Sequence, residues 1–310
     1  MPNQMTVWVC GEVLVDSLGE STAVGGGPAN TARAVARLGQ DVEFVGGIST
    51  DEFGVRVSEE FVRDKVGMRH VHRSKKPTAI ASVSIDAHGQ AAYQFSTSGT
   101  ATFDFSLDWL PDPYRYKPSA LHIGSLATVI EPGASALFEW ATRVSEFAPI
   151  IFDPNVRPQA LGDRVKYLSI FEKWADISTV VKASEEDLGW LYPDRPIVDV
   201  VTQLIEGGIQ LLVITRGAQG ISAVTREESV EVGAVASKVV DTVGAGDSVG
   251  AVLVDSILRN GILNLQGPVL HEALNCAVHA AAITCSRVGA QSPTRSEIDA
   301  AIERSENAVH

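Results

Sequence analysis

Along the chain, apolar runs of strand length alternate with longer stretches in which apolar residues recur every three or four positions. VWVCGEVLVD precedes PANTARAVARLG, VEFVGGI precedes EFGVRVSEEFVRDK, IIFDPN precedes VKYLSIFEKW, and LLVIT precedes a turn, ISAV and a helical run that opens near Asp247. Continuous apolar runs suit strands covered on both faces, and the three-to-four spacing suits helices with one covered face. Together they predict βαβ units around a mostly parallel sheet with helices on both sides, an α/β fold continuous over 1–310. One stretch breaks the rhythm. TAIASVSIDAHGQAAYQF (78–95) reads as two alternating strands around a turn at Asp86, His88 and Gly89, with no helix between them. It predicts a hairpin outside the main sheet, placed as a flap over a site.

Composition narrows the class. Of the 310 residues 45% are hydrophobic and 20% charged, enough apolar material for a large core. The longest apolar runs, LLVI at 211–214 and AVLV at 251–254, fall far short of the roughly 20 residues of a membrane span. MPNQMTVWVC carries no export signal, so a cytoplasmic address is expected. Cys10, Cys276 and Cys285 form no CxxC pair and are expected as reduced core thiols. A net charge of −13 argues against broad binding to nucleic acid or to an anionic membrane and leaves a small molecule as the expected partner. No repeat or linker divides the chain, and PDPYRYKP at 111–118 is one surface connection.

The segment DTVGAGDSVG (241–250) sets an acid at the mouth of a helix behind a glycine-rich turn. On one reading, Gly244 and Gly246 permit the turn and Asp247 merely complements the helix dipole, worth about 0.3–1 kcal/mol. On the other, the bare amides of Ala245, Gly246 and Asp247 converge at a helix start and make an anion site. A carboxylate repels a phosphate unless it is there to accept a proton from an arriving nucleophile, and this combination points to phosphoryl transfer to a hydroxyl. The second cluster is GGGPANTARAVARLG (25–39). Pro28 suits a helix entry and Gly39 a helix stop, but the three glycines Gly25, Gly26 and Gly27 suit a backbone that approaches a ligand closely. Asn30, one turn in, offers donors and an acceptor to a polyol, and Asp16, ending GEVLVD, is either the matching acceptor or a turn residue.

These two clusters, in this order, resemble the paired signatures of the PfkB (ribokinase-like) carbohydrate kinase family. GGGPANTA with Gly39 and Gly47 is similar to the first signature and DTVGAGDSVGA to the second. GGISTDEFG, DPNVR, VKASEED, TRGAQG and SRVGAQSPT follow in family order, so the resemblance covers nearly the whole chain. It implies a ribokinase-like three-layer αβα sandwich with a mostly parallel central sheet and a small β lid, built from segments near 11–23 and 77–97. By the same resemblance Asp247 is the catalytic base, and the amides of Gly244, Ala245 and Gly246 form the anion hole. Asp16, Gly26, Gly27, Asn30, Asn155 and Arg157 face the sugar. Lys182, Ser184, Thr215, Gly217 and Gly220 face ATP, where TRGAQG alone would read as an ordinary turn. Arg216 either pairs a phosphate or is solvated.

Ser184 with Asp187 fits a capping box. The resemblance sets Ser184 and Asp187, with Glu186 beside them, where relatives carry an Asn-x-x-Glu that organises the water shell of Mg²⁺. It also implies a K⁺ site near Asp241, Val243 and Gly289. DPNVR and GSLATVIEPGA look like bacterial fructokinases, so a hexose such as fructose is the expected acceptor. YQFSTSGTA lacks an arginine that many fructokinases carry there, and 2-keto-3-deoxygluconate, ribose and a nucleoside are the alternatives. A nucleoside would require aromatic partners from Tyr93, Phe95 and Phe103. A catalytically silent sugar sensor is the alternative of another class; a dinucleotide-dependent oxidoreductase is disfavoured because no GxGxxG opens a helix. His70 and His72 read as surface histidines, not zinc ligands. The lid positions Ala79, Ile80, Val83 and Ile85 suggest pairing with a second copy as a homodimer.

Overall fold

A computed structural model describes residues 6–18, 21–85 and 91–307. Its strands are β1 (Val7–Cys10), β2 (Leu14–Leu18), β3 (Ser21–Gly25), β4 (Val42–Ser49), β5 (Gly67–Ser74), β6 (Ala79–Ile85), β7 (Ala91–Ser96), β8 (Ala120–Gly124), β9 (Ile150–Asp153), β10 (Val180–Ser184), β11 (Leu211–Thr215), β12 (Ile221–Val224) and β13 (Ser229–Val232). Among the described residues the larger sheet runs β13-β12-β11-β10-β9-β8-β1-β4-β5. From β11 to β5 every pairing is parallel; β12 and β13 extend one edge as an antiparallel hairpin.

The central strands are apolar throughout because both faces are covered. In β1, Val7 and Val9 join one core, shared with the helices Gly27–Arg37, Ala245–Asn260 and Gly267–Cys285. Trp8 and Cys10 join the other, where Trp8 stacks on Trp140 with ring centroids 5.6 Å apart. The three layers follow from this alternation of period two against helices of period 3.6.

A second sheet has the order β3-β2-β6-β7, with β2 and β6 parallel and the outer pairs antiparallel. Strands β6 and β7 form the hairpin expected from 78–95; its turn at Asp86, His88 and Gly89 lies outside the described residues, as do the side chains of Val83, Ile85 and Tyr93. Two side chains tie this sheet to the larger body. Asp51 caps the helix Glu52–Arg63 by accepting from Gly54 N at 2.8 Å, and it also accepts from Thr78 N at 2.8 Å and Thr78 Oγ1 at 2.7 Å, at the root of β6. Arg56 on the same helix donates to the carbonyl and hydroxyl of Thr22 in β3 at 2.7 and 2.8 Å.

The histidines of RHVHR differ from expectation. His70 packs edge-on to Trp8 and Tyr116, with centroids 5.1 and 4.8 Å away, and His72 stacks on Trp109 at 5.0 Å, so both are half-buried in an aromatic cluster beside edge strand β5. Burial, helped by Arg69, pushes the His70 imidazole down to about 4. Phe103 is also buried in the core. Cys10 and Cys276 are buried free thiols and Cys285 is half-buried. Among the described residues no helix is long and apolar enough to cross a membrane.

Candidate active site

The parallel strands end together along one edge of the sheet, and in such folds ligands bind beyond the carboxyl ends of the strands. Here the ends of β8, β9 and β10 meet the start of the helix Ala245–Asn260. Gly244 precedes that helix at φ +80°, and a Cβ on it would stand 2.5 Å from Ala290 Cβ. Glycine is required there on both counts. The amides of Gly244, Gly246 and Asp247 make no hydrogen bond among the described residues. The Ala245 amide, expected as a further open donor, instead closes the turn on Thr242 O at 3.3 Å.

Asp247 sits in the first helical turn, half-buried, and its Oδ2 accepts from Asn30 Nδ2 at 2.9 Å. The two glycine clusters therefore meet, although their contacting residues are 217 positions apart. Asn30 was expected to face a polyol; its observed hydrogen bond orients the acid. Burial pushes the Asp247 carboxyl up to about 7; the Asn30 hydrogen bond opposes this, Asp153 adds to it, and Lys182 and Arg157 oppose it. A carboxylate poised near neutrality suits a general base.

Close packing explains the first cluster's glycines. A Cβ on Gly27 would lie 2.7 Å from Asn155 Nδ2 and 3.3 Å from Asp247 Oδ1; on Gly25 it would meet Asp16 Oδ2 at 2.0 Å. Gly26 has φ +101° and its Cβ would strike Glu12 O at 2.8 Å. Across the recess, Asn155 adopts φ +39°, with its amide donating to Asp153 Oδ1 at 3.2 Å and its Nδ2 to Ser125 Oγ at 3.4 Å. Asp16 on β2 is half-buried, and burial, opposed by Arg157 and reinforced by Asp241, pushes it up to about 6. Arg157 thus lies within electrostatic reach of both Asp16 and Asp247, while its Nη1 donates to Val156 O at 3.1 Å.

Lys182, expected to face ATP, is buried, and the acids Asp153 and Glu12 were not singled out in the sequence. Lys182 Nζ is buried and donates to Asp153 Oδ2 at 2.9 Å; a Cβ on Gly246 would stand 2.9 Å from that nitrogen. Asp153 was visible only as the first letter of DPNVR. Glu12 is buried, accepts from Ala127 N at 3.0 Å, and is pushed upward by burial. An acid between the apolar runs VWVC and VLV was its only signal.

On the other side of the helix mouth, Thr215 ends β11 opposite Ser184 of β10 and Ile221 of β12. Gly217 at φ +52° and Gly220 at φ +98° make the hairpin, and a Cβ on Gly220 would strike Val232 O at 2.1 Å. Arg216 does not reach into the cleft, because Nη2 pairs with Glu231 Oε1 at 2.5 Å. The capping box at Ser184 is present: Ser184 Oγ accepts from Asp187 N and Asp187 Oδ2 from Ser184 N, both at 2.9 Å. Asp187 Oδ1 accepts from Val156 N at 2.9 Å, so both oxygens already serve main-chain amides. Glu186 is exposed. Asp241 bridges two loops, accepting from Val243 N at 3.0 Å and from Gly289 N at 2.8 Å.

These donors do not make a protein-held cage for a divalent ion. Asp153 is paired with Lys182 and Asp187 is spent on amides. Among the described residues no group of three or more His, Cys, Asp or Glu is arranged to hold a metal. Mg²⁺, expected from the resemblance, keeps much of its water and is commonly carried on phosphate groups, so it needs no such cage.

Known proteins resemble this chain over most of its length. The fructokinase of Rhizobium leguminosarum bv. trifolii is 32% identical over 263 residues, covering 82% of this chain and 80% of that protein. The fructokinase of Salmonella typhimurium is 30% identical over 281 residues, covering 87% and 91%. Among solved structures, the fructokinase of Xylella fastidiosa with bound ATP superposes with a TM-score of 0.90 at 27% identity, over 98% of this chain and 99% of that one. The fructokinase of Vibrio cholerae O395, in its fructose-, ADP- and calcium-bound form, gives 0.85 at 25% identity, over 96% and 99%. The signature of the pfkB family carbohydrate kinases matches residues 12–297, and the chain belongs to that family, a phosphotransferase with the ribokinase-like fold.

Proposed function

We propose that this carbohydrate kinase transfers the γ-phosphate of ATP to a hydroxyl of fructose, with Asp247 as the general base. The observation that carries the reading is the Asp247 carboxylate itself: oriented by Asn30, raised toward neutrality by burial, and set beside unengaged amides at a helix start. The relatives named as fructokinases, and the fructose in the Vibrio cholerae structure, support fructose as the acceptor.

In this mechanism Asp16, Gly26, Gly27, Asn30, Asn155 and Arg157 hold the sugar. Lys182, Ser184, Thr215, Gly217 and Gly220 form the nucleotide side. Asp247 accepts the proton of the attacking hydroxyl as its oxygen bonds to the γ-phosphorus, and the bond from that phosphorus to the β–γ bridging oxygen breaks, releasing ADP. The transition state is loose and highly charged, so alignment and charge stabilisation do most of the work. The amides of Gly244 and Gly246, with the Asp247 amide beside them, face the transferred group. Mg²⁺ supplies charge neutralisation on the phosphates when bound with ATP. Asp241, Val243 and Gly289 are proposed to hold K⁺ beside the anion hole.

ADP release over a panel of sugars and nucleosides with ATP and Mg²⁺ tests the reading. Fructose is expected to give the highest kcat/KM. A better ketohexonate, pentose or nucleoside would replace the acceptor, and no release above background with any acceptor would leave the sensor as the surviving alternative.

A further inference from the structure

His122 is a lone polar residue in the apolar strand ALHIG of β8, 2% exposed. Its neighbours Leu121 and Ile123 face one core, so the imidazole faces the other, beneath the helices Gly27–Arg37 and Ala245–Asn260. Gly250 makes room for it: a Cβ there would stand 3.1 Å from Nε2 and 3.9 Å from Thr31 Oγ1. Among the described residues, neither ring nitrogen has a hydrogen-bond partner, and the same holds for Thr31 Oγ1, 1% exposed, and Asn30 Oδ1. Burial, reinforced by Lys182, pushes the imidazole down to about 3, so it is neutral, with one donor and one acceptor nitrogen. Buried polar atoms are rarely left unpaired, and an apolar side chain would fill this position without that cost. The ring also lines the recess that holds Asp247, Gly27, Ser125, Asp153 and Asn155. A structurally costly group retained on the wall of a reaction site marks function.

We propose that His122 walls a hydroxyl-binding subsite beside the base, where its imidazole, with Thr31 as the neighbouring unpaired group, takes one hydroxyl of the acceptor or a water that bridges to it. The inference rests on the kinase reading, and it assigns His122 a specificity role that the phosphoryl-transfer machinery does not need.

The test is steady-state kinetics of wild type, His122→Leu and His122→Gln on the best acceptor and its single-deoxy analogues, with melting temperatures alongside. His122→Leu is expected to lower kcat/KM by about 10-fold or more, while melting at or above wild type because an apolar group replaces unpaired nitrogens. His122→Gln, which keeps a donor and an acceptor, is expected to recover most of the loss. If the subsite takes a sugar hydroxyl, the loss lies in KM and disappears with the analogue lacking that hydroxyl. A water that bridges to the hydroxyl gives the same pattern with a smaller loss, whereas a loss equal for every analogue overturns the subsite. Unchanged kinetics of His122→Leu on all acceptors overturns the subsite; should that variant not fold, unchanged kinetics of Thr31→Val does so. Wild type without turnover on any acceptor is a different result and overturns the kinase reading together with the subsite.

Discussion

The two glycine clusters feed one recess from opposite sides, but their glycines answer to different constraints. Around Gly25, Gly26 and Gly27 the obstacles are Asp16, the Glu12 carbonyl and Asn155, all on the acceptor side. Around Gly244 and Gly246 they are Ala290 and the tip of Lys182, together with a left-handed backbone at Gly244. The first cluster opens a helix with no acid in its first turn, and Asn30 provides the chemistry. The second opens a helix whose first turn carries Asp247. In the proposed mechanism one end holds a neutral polyol, and the other neutralises an incoming anion and takes a proton.

Removing the acid should separate these roles most sharply. Asp247→Asn keeps the shape and an acceptor-and-donor amide beside Asn30 but cannot take a proton. Its kcat is expected to fall by about 10²–10⁴-fold, with sugar affinity by calorimetry nearly unchanged. A variant with near wild-type kcat would deny Asp247 the role of base.

Next come the glycines themselves. Gly27→Ala drives a Cβ to 2.7 Å from Asn155 Nδ2 and 3.3 Å from Asp247 Oδ1, so it should displace both sugar side and base, costing about 10²-fold in kcat/KM with a raised sugar KM. Gly246→Ala meets the end of the Lys182 side chain, held by Asp153, at 2.9 Å, and a loss of about 10-fold, mainly in kcat, is expected. Equal losses with the same split between kcat and KM would erase the distinction between the clusters.

The pH dependence follows from the raised Asp247 carboxyl. Below about pH 7 the acid is protonated and cannot serve as base, so kcat/KM should drop with falling pH through that midpoint. Stability should run the other way. The folded state holds this proton more tightly than the unfolded chain, whose aspartates titrate near about 3.9. The stabilisation is complete below that value and is lost as pH rises through about 7. Melting curves should therefore show Asp247→Asn gaining on wild type at pH 8, with the gap closing toward pH 4. A constant gap across that range would mean the carboxyl is not raised by burial.

What was readable in the chain, and what was not, divides along the same line. Local constraints were readable: the βαβ rhythm, the helix after Gly244, and the capping box at Ser184 and Asp187 are each set by residues within a few positions of one another. Contacts between distant segments were not. Nothing in GGGPAN indicates that Asn30 donates to Asp247, and nothing in VKAS indicates that Lys182 pairs with Asp153. Lone polar residues inside apolar strands, such as Glu12 and His122, carry no period that marks them, because a strand covered on both faces has none. His70 and His72, read as surface histidines for want of a third metal ligand, are half-buried because the aromatic residues that cover them, Trp8, Trp109 and Tyr116, come from elsewhere in the chain.

The smallest expected effect concerns a feature that only the second cluster has. Asp241 ties the stretch of chain leading into the Gly244 turn to the loop at Gly289, with one oxygen on each amide, whereas among the described residues no carboxylate accepts from the amides of Gly25–Gly27 in this way. If Asp241, Val243 and Gly289 hold K⁺ as proposed, the cation would act on the anion hole without touching the sugar. Exchanging K⁺ for tetramethylammonium is expected to lower kcat by a few-fold and leave the sugar KM alone. Asp241→Asn, which retains only one carbonyl oxygen for two amides, should lower kcat similarly and destabilise the loop by about 1 kcal/mol, the cost of one amide left without its acceptor. If K⁺ and tetramethylammonium give equal rates while Asp241→Asn is slow, the clamp acts through loop geometry alone; if both leave kcat untouched, the second cluster is held by its glycines and Ala290 without help from Asp241.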